Sequence, residues 1–330
     1  MILNQTIIAD VLVGLKQIPD NSIHCVVTSP PYWGLREYRE NGKALEGQIG
    51  LEKTPEEFIE KMVAVFREVR RVLRPDGTCW INLGDSYASG KGTCFNPGGG
   101  DSSLGKDKKS EGAHPLDRGN KSDLEASGLK PKDLVGIPWR VALALQADGW
   151  WLRSDIIWSK PNPMPESVTD RPSKSHEYIF LLTKSARYFY DADAVREAHK
   201  PESIERDKHG WSAAFKGRHT QPGEKRPHSD DHNGFCNPAG RNLRSVWTIA
   251  TQPSPFKHYA IFPEKLASRC IRAGTSEWGC CKSCGAPYVR VVEKDKKLMG
   301  RSSGDIYTAQ AYDTPPRFFL LPHTADCGVS

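Results

Sequence analysis

VVTSPPYWGLREY, residues 26–38, decides how the chain is read. An apolar run from Ile23 to Val27 stops at Thr28-Ser29-Pro30-Pro31-Tyr32. Two consecutive prolines lack the N–H groups a strand ladder needs, so a strand must end there. The corner left behind is rigid and poor in donors. It carries the Ser29 hydroxyl, the Pro30 carbonyl with its fixed backbone, and the flat ring of Tyr32. Two acceptors beside a ring suit an exocyclic amino group on a planar heterocycle. The N–H groups would donate to the hydroxyl and carbonyl while the base stacks on Tyr32. Such an amine is a poor nucleophile because its lone pair is delocalised into the ring. Drawing its hydrogens toward two acceptors localises that pair without a strong base, which is catalysis by position and electrostatics.

Outward from this corner, the first third of the sequence reads as alternating strands and helices. Ile7 to Asp10 reads as a short strand and Val11 onward as the start of a helix, with Ile23 to Thr28 as the next strand. Thr54-Pro55-Glu56-Glu57 is a capping box with proline at the first helical position. Phe58, Met62, Val65, Phe66, Val69 and Val72 then recur at helical spacing. Arg74-Pro75-Asp76-Gly77 reads as a turn before a strand over 78–83, and Pro138 opens a helix to about Ala147. A strand follows over 151–158, then apolar runs at 177–183 and 187–190 that read as an antiparallel hairpin. A short strand near 246–249 and a helix from Pro263 to about Arg272 close the ordered part. The pattern predicts an open α/β sheet with an antiparallel edge hairpin. Ligands bind such sheets at the carboxyl ends of the strands, where the corner sits.

The blocks divide into a first part of the core over 1–87, a polar insert over 88–132 and a second part of the core over 133–192. A second polar insert over 193–245, where a target-recognition region is expected, a strand and helix over 246–275 and a cysteine-containing segment over 276–330 complete the chain. The net charge of +6 over 330 residues is a mild excess of base, compatible with a nucleic-acid partner without requiring one. No apolar window reaches the length of a membrane span, and MILNQTIIAD lacks the pattern of a signal peptide. Nine cysteines, mostly standing singly, read as a reduced, cytoplasmic chain.

TSPPY after an apolar strand resembles the signature of amino-group DNA methyltransferases, in the form common among cytosine-N4 enzymes. "LKQIPDNSIHCVVTSPPY", "RPDGTCWINLGDSY", "IIWSKPNPMPES" and "HYAIFPEKLASRCI" resemble further blocks of that family, in the permuted order that begins with the catalytic corner. The resemblance implies a Rossmann-like sheet, S-adenosylmethionine as methyl donor, and a base flipped out of double-stranded DNA. It makes Ser29, Pro30, Pro31 and Tyr32 catalytic. Adenine-N6 specificity, or an inactive DNA-binding remnant, are the alternatives. Restriction–modification is the implied setting, with a cognate restriction enzyme as a partner.

The resemblance also puts Asp10, Thr28, His258, Phe262 and Pro263 near the cofactor, and Asn82, Asp85, Trp158, Lys160 and Arg241 near the target base or DNA. Several have plainer readings. Asp10 could cap the following helix, and Asn82 and Asp85 could hold a glycine-centred turn. Trp158 could serve packing, and Phe262 and Pro263 could staple a helix start. Lys106, Lys108, Lys109, Arg118, Arg218, Arg226 and Arg244 are candidates for phosphate contacts, although acidic residues are interspersed among them. Cys281 and Cys284, with the distant Cys327, suggest a partial structural zinc site or thiols outside any metal site. The family's glycine-rich cofactor turn would follow the cysteine segment, and the sequence stops before it. The expected sheet is therefore incomplete, with a second polypeptide as one means of completing it.

Overall fold

The computed structural model describes residues 4–34, 39–40, 43–44, 47–88, 94–95, 128–208, 236–237, 239–253, 261–290 and 318–320. In chain order the elements are α1 (Val11–Lys16), β1 (Ile23–Thr28), β2 (Arg39–Glu40), β3 (Lys43–Ala44), α2 (Pro55–Val72) and β4 (Leu73–Leu83). They continue with β5 (Tyr87–Ala88), β6 (Cys94–Phe95), α3 (Ile137–Ala147), β7 (Trp151–Ser159), β8 (His176–Thr183) and α4 (Pro201–Lys208). β9 (Val246–Thr248), α5 (Glu264–Gly274), β10 (Tyr288–Arg290) and β11 (Phe318–Leu320) complete the set. The chain forms two compact units. One comprises Met1–Tyr190 with Ser245–Thr275, the other Asp191–Arg244 with Ser276–Ser330.

The first unit is built on a five-stranded sheet of order β1-β4-β8-β7-β9. β1 is parallel to β4, β8 is antiparallel to both β4 and β7, and β7 is parallel to β9. β1, β4, β7 and β9 therefore run in one direction and bring their carboxyl ends to a single edge. The α/β open sheet matches the sequence reading. The edge hairpin does not, because residues 187–190 form no strand and the antiparallel strand β8 lies in the sheet interior. Instead of pairing with β8, the Phe189 N–H donates to the Asp76 carbonyl at 2.8 Å.

α2 forms where the capping box predicts it: Thr54 Oγ1 accepts from the Glu57 N–H at 3.2 Å, and Lys53 N–H donates to Glu57 Oε2 at 3.0 Å. Its buried stripe of Phe58, Met62, Val65, Phe66 and Val69 packs with α3 over one face of the sheet, against Ile81, Leu83 and Leu182. Burying side chains of this size contributes about 1.5–3 kcal/mol each. Residues 74–77, expected as a turn before the strand, instead lie within β4 as an irregularity of its ladder. Ile23 pairs with Leu73 and Cys25 with Thr78, so residues 74–77 bulge out opposite His24.

On the opposite face, α5 crosses β1 and β4. A Cβ placed on Gly274 would lie 2.3 Å from Thr78 Oγ1 and 2.9 Å from Cys25 Sγ, so this approach requires glycine. Contact with the early parts of both strands puts the C-terminus of α5 at the strand starts. Its N-terminus points to the carboxyl edge, where Gln252 Oε1, just past β9, accepts from the Glu264 N–H at 3.2 Å.

The strand expected over Ile7–Asp10 is absent. Residues 5–10 are irregular, and Asp10 caps α1, its Oδ1 accepting from the Leu12 N–H at 2.9 Å and the Val13 N–H at 3.4 Å. In the second unit, α4 arises within the stretch read as a polar insert, and Glu197 and Arg241 form a backbone bridge and an ion pair at 3.1 Å. Among the described residues no helix is long and apolar enough to cross a membrane.

Candidate active site at the carboxyl edge of the sheet

Three sequence blocks meet where β1, β4 and β7 end. Ser29 to Tyr32 leave β1, half-buried, and the next residue anchors them. Trp33 is 1% exposed within the core, and its Nε1–H donates to the Glu52 carbonyl at 2.9 Å. The Gly34 N–H donates to the Gly50 carbonyl at 2.8 Å, and Glu52 Oε2 accepts from the Gly50 N–H at 2.9 Å. The corner is thus clamped from behind.

At its tip, Ser29 Oγ donates to Tyr32 Oη at 3.3 Å, and Tyr32 Oη donates to Glu177 Oε2 at 2.6 Å, with Asn82 Oδ1 a second acceptor at 3.3 Å. Asn82 Nδ2 donates to the same Glu177 oxygen at 3.0 Å and to the Tyr178 carbonyl at 3.1 Å. Lys160 Nζ pairs with Glu177 Oε1 and lies 4.5 Å from the centre of the Trp158 ring. Burial, then the charge of Glu177 and its hydrogen bond, push the Tyr32 phenol well above its ordinary pKa. The register explains the meeting. Asn82 pairs with Ile179 and Trp158 with Glu177, so Asn82, Glu177 and Trp158 share one face of the sheet. Asn82 and Lys160, singled out near the target base or DNA, both take part in this network.

Asp85 takes its plainer reading. Its Oδ1 accepts from the N–H groups of Ser86 at 2.9 Å and of Gly136 and Ile137 at 3.0 Å each, closing the start of α3. Burial raises its pKa, opposed by Lys174 and these three N–H groups. Lys174 is the converse case: burial lowers its pKa against the pull of Asp85, Glu177 and Glu166. Among the described residues its buried Nζ has no hydrogen-bond partner. Trp158 is 3% exposed and its Nε1–H donates to the Ile249 carbonyl at 2.8 Å, in keeping with its packing reading.

Of the residues assigned to the cofactor, Thr28 ends β1, and Phe262 and Pro263 lead into α5 on the side of the same edge. Asp10 is engaged in its cap, and His258 lies outside the described residues. Arg241, expected near the target base or DNA, pairs with Glu197 within the second unit. Lys106, Lys108, Lys109, Arg118, Arg218 and Arg226 lie outside the described residues. Cys281 and Cys284 sit on a turn closed by the Cys281 N–H to the Ala286 carbonyl at 2.8 Å and the Gly285 N–H to the Cys281 carbonyl at 2.9 Å. Cys327 lies outside the described residues, and among those described no group of three or more His, Cys, Asp or Glu is placed to hold a metal ion. The zinc reading has no support from this geometry.

Glu177, Trp33 and Glu52 were not singled out from the sequence. Glu177 lies in "SHEYIFLLT", where its lone acidic position at a strand start was the available signal.

The DNA methylase family of the N6/N4 type matches residues 23–281, a span from the strand before the corner to the first cysteine of the Cys281/Cys284 turn. The chain belongs to that family. It is 44% identical over 266 residues to the Type II methyltransferase M.Cfr9I of Citrobacter freundii, covering 81% of this chain and 71% of that one. It is 41% identical over 309 residues to the Type II methyltransferase M.SmaI of Serratia marcescens, covering 92% of this chain and 88% of that one. Among solved structures, the cytosine-N4-specific PvuII DNA methyltransferase aligns over 82% of this chain and 69% of its own at 16% identity. The TM-score of that alignment is 0.45.

Proposed function

We propose that this DNA methylase is a site-specific enzyme that methylates the exocyclic N4 of cytosine in double-stranded DNA, with S-adenosylmethionine as donor. The observation that carries the reading is the corner itself. A hydroxyl and a proline carbonyl stand at the carboxyl end of a parallel strand, clamped by Trp33 and tied through Tyr32 to the sheet. The Type II names of the relatives support a restriction–modification setting, with a cognate restriction enzyme as partner.

The residues around the edge fit the proposed donor. Thr28 contributes a hydroxyl and Phe262 a half-buried aromatic face, which suit a flat purine carrying a cationic sulfonium. S-adenosylmethionine, when bound, supplies an electrophilic methyl group on positive sulfur. Ser29 Oγ and the Pro30 carbonyl accept the two N–H groups of the target amine, draw its hydrogens from the ring plane and turn its lone pair toward that methyl. The Tyr32 ring lies against the base. Methyl transfer would trade the C–S bond for a new N–C bond, and Ser29 Oγ and the Pro30 carbonyl would hold the surplus proton until it leaves the alkylated nitrogen for water. No strong base is needed, since an alkylated ring amine is strongly acidic.

The test is direct. A long unmethylated duplex of mixed sequence, incubated with the protein and donor, is digested to nucleosides and analysed by mass spectrometry. N4-methylcytosine is the expected product. N6-methyladenine would move the specificity to the other branch of the family, and no methylated nucleoside, with DNA still retained, would make the chain a binding remnant.

A further inference from the structure

We infer that Glu177 is a positioning residue that fixes the direction of the hydrogen bonds in the catalytic corner, and so makes Ser29 Oγ an acceptor toward the target amine. The inference rests on the proposed methylation at this corner and deepens it.

A serine hydroxyl is both donor and acceptor, and its proton turns to suit its surroundings. For Ser29 to accept an N–H from a base, its own proton must be held elsewhere. Tyr32 Oη, 3.3 Å away, takes that proton only if the phenol's own hydrogen points away from Ser29. The neighbours enforce this. Glu177 Oε2 is a carboxylate oxygen 2.6 Å from Tyr32 Oη and can only accept. Asn82 turns its amide so that Nδ2 donates to Glu177 Oε2 at 3.0 Å and the Tyr178 carbonyl at 3.1 Å, which leaves Oδ1, another acceptor, toward Tyr32. Both groups behind the phenol are therefore acceptors. The chain runs one way, from Ser29 to Tyr32 to Glu177, and the lone pairs of Ser29 Oγ remain for the substrate.

Lys160 completes the arrangement. Its ammonium pairs with the second oxygen, Glu177 Oε1, and offsets the cost of keeping a partly buried carboxylate charged beside Tyr32. A carboxylate present only to pair with Lys160 would not need its other oxygen shared between a phenol and an amide. A charge-assisted O–H···O⁻ bond near this length is among the stronger kinds, which suits a group that sets the orientation of others.

Glu177→Gln is the informative variant, because it keeps shape and bonding capacity while its amide can donate and reverse the chain. Single-turnover methylation should fall about 100-fold, the size typical of losing one preorganised catalytic hydrogen bond, with DNA affinity unchanged. Tyr32→Phe should fall similarly, and the double variant should be no slower than either single one, since both break the same chain. Independent losses that multiply, or full activity in Glu177→Gln, would overturn the inference. A second readout needs no turnover. In protein carrying ¹³C-labelled tyrosine, the Tyr32 phenol should titrate at lower pH in Glu177→Gln than in the wild type. An unchanged titration would overturn the inference, whereas a shifted titration in a protein without methylating activity would overturn the proposed function alone. Should Glu177→Gln fail to fold, Ser29→Ala with Tyr32→Phe provides the same cycle one bond earlier, and multiplying losses there would again overturn it.

Discussion

Gly84 lies directly against the ring of Tyr32: a Cβ at that position would fall 2.5 Å from Cε2 and 3.0 Å from Cδ2. The glycine after β4 is therefore the floor on which the Tyr32 ring rests. Its role is close approach rather than an unusual backbone angle. Gly84→Ala should push the ring off its hydrogen bonds to Glu177 and Asn82. The expected result is a loss of about 1–3 kcal/mol in unfolding free energy, the usual scale for overpacking, together with a drop in the methylation rate. Denaturant unfolding and single-turnover kinetics measure the two effects separately.

The buried carboxyl of Asp85 gives a signed pH dependence. Its pKa in the folded protein is raised, chiefly by burial, above the ordinary 3.8. The folded state therefore holds the proton more tightly than the unfolded state. This contribution is fully present below the ordinary Asp range and is lost as pH rises through the folded value. Asp85→Asn removes the titration while keeping an oxygen for the cap of α3. The stability of the wild type relative to Asp85→Asn should decline between acid and neutral pH, as read from melting temperatures at pH 4 and pH 7.

The packing of α5 depends on Gly274, whose α-carbon faces Thr78 and Cys25. Gly274→Ala would have to displace the helix from β1 and β4, because the groups it meets sit on short side chains of packed strands. A loss of about 1–3 kcal/mol is expected in denaturant unfolding. Ile271→Ala, on the exposed side of the same helix, should cost much less.

Thiol chemistry should separate the cysteines by environment. Burial pushes Cys25 up to about 11 and raises Cys79 and Cys270 as well, leaving little thiolate at neutral pH. Cys280 is exposed. Brief alkylation of the native protein at pH 8, mapped by peptide mass, should label Cys280 and spare Cys25, Cys79 and Cys270.

Local chemistry made part of the structure readable in advance. Pro30 and Pro31 end β1, and Thr54, Pro55 and Glu57 start α2, because each effect acts within a few residues. The carboxyl-edge location of TSPPY follows from strand alternation alone. What could not be read depends on pairing across the sheet. Glu177 reaches Tyr32 and Asn82 because β8 inserts between β4 and β7, a placement that no local pattern contains. The same insertion explains the misread hairpin: Tyr188 and Phe189 look like a strand, but β8 already has partners on both sides. Ile7 and Ile8 looked like a strand for their apolarity, yet Ile8 is 95% exposed, and apolar residues without a neighbouring strand do not form one. Trp158 resembled a binding aromatic by its place beside a proline-rich loop, while its register against Trp247 and Glu177 buries it.

The central claim is that Ser29 holds the amino group that is methylated. Its most direct test compares wild-type protein with Ser29→Ala in a single-turnover assay on the same unmethylated duplex, with the product nucleoside identified by mass. The expected outcome is N4-methylcytosine from the wild type and a rate about 100- to 1,000-fold lower from Ser29→Ala at equal DNA affinity. An undiminished rate in Ser29→Ala would contradict it.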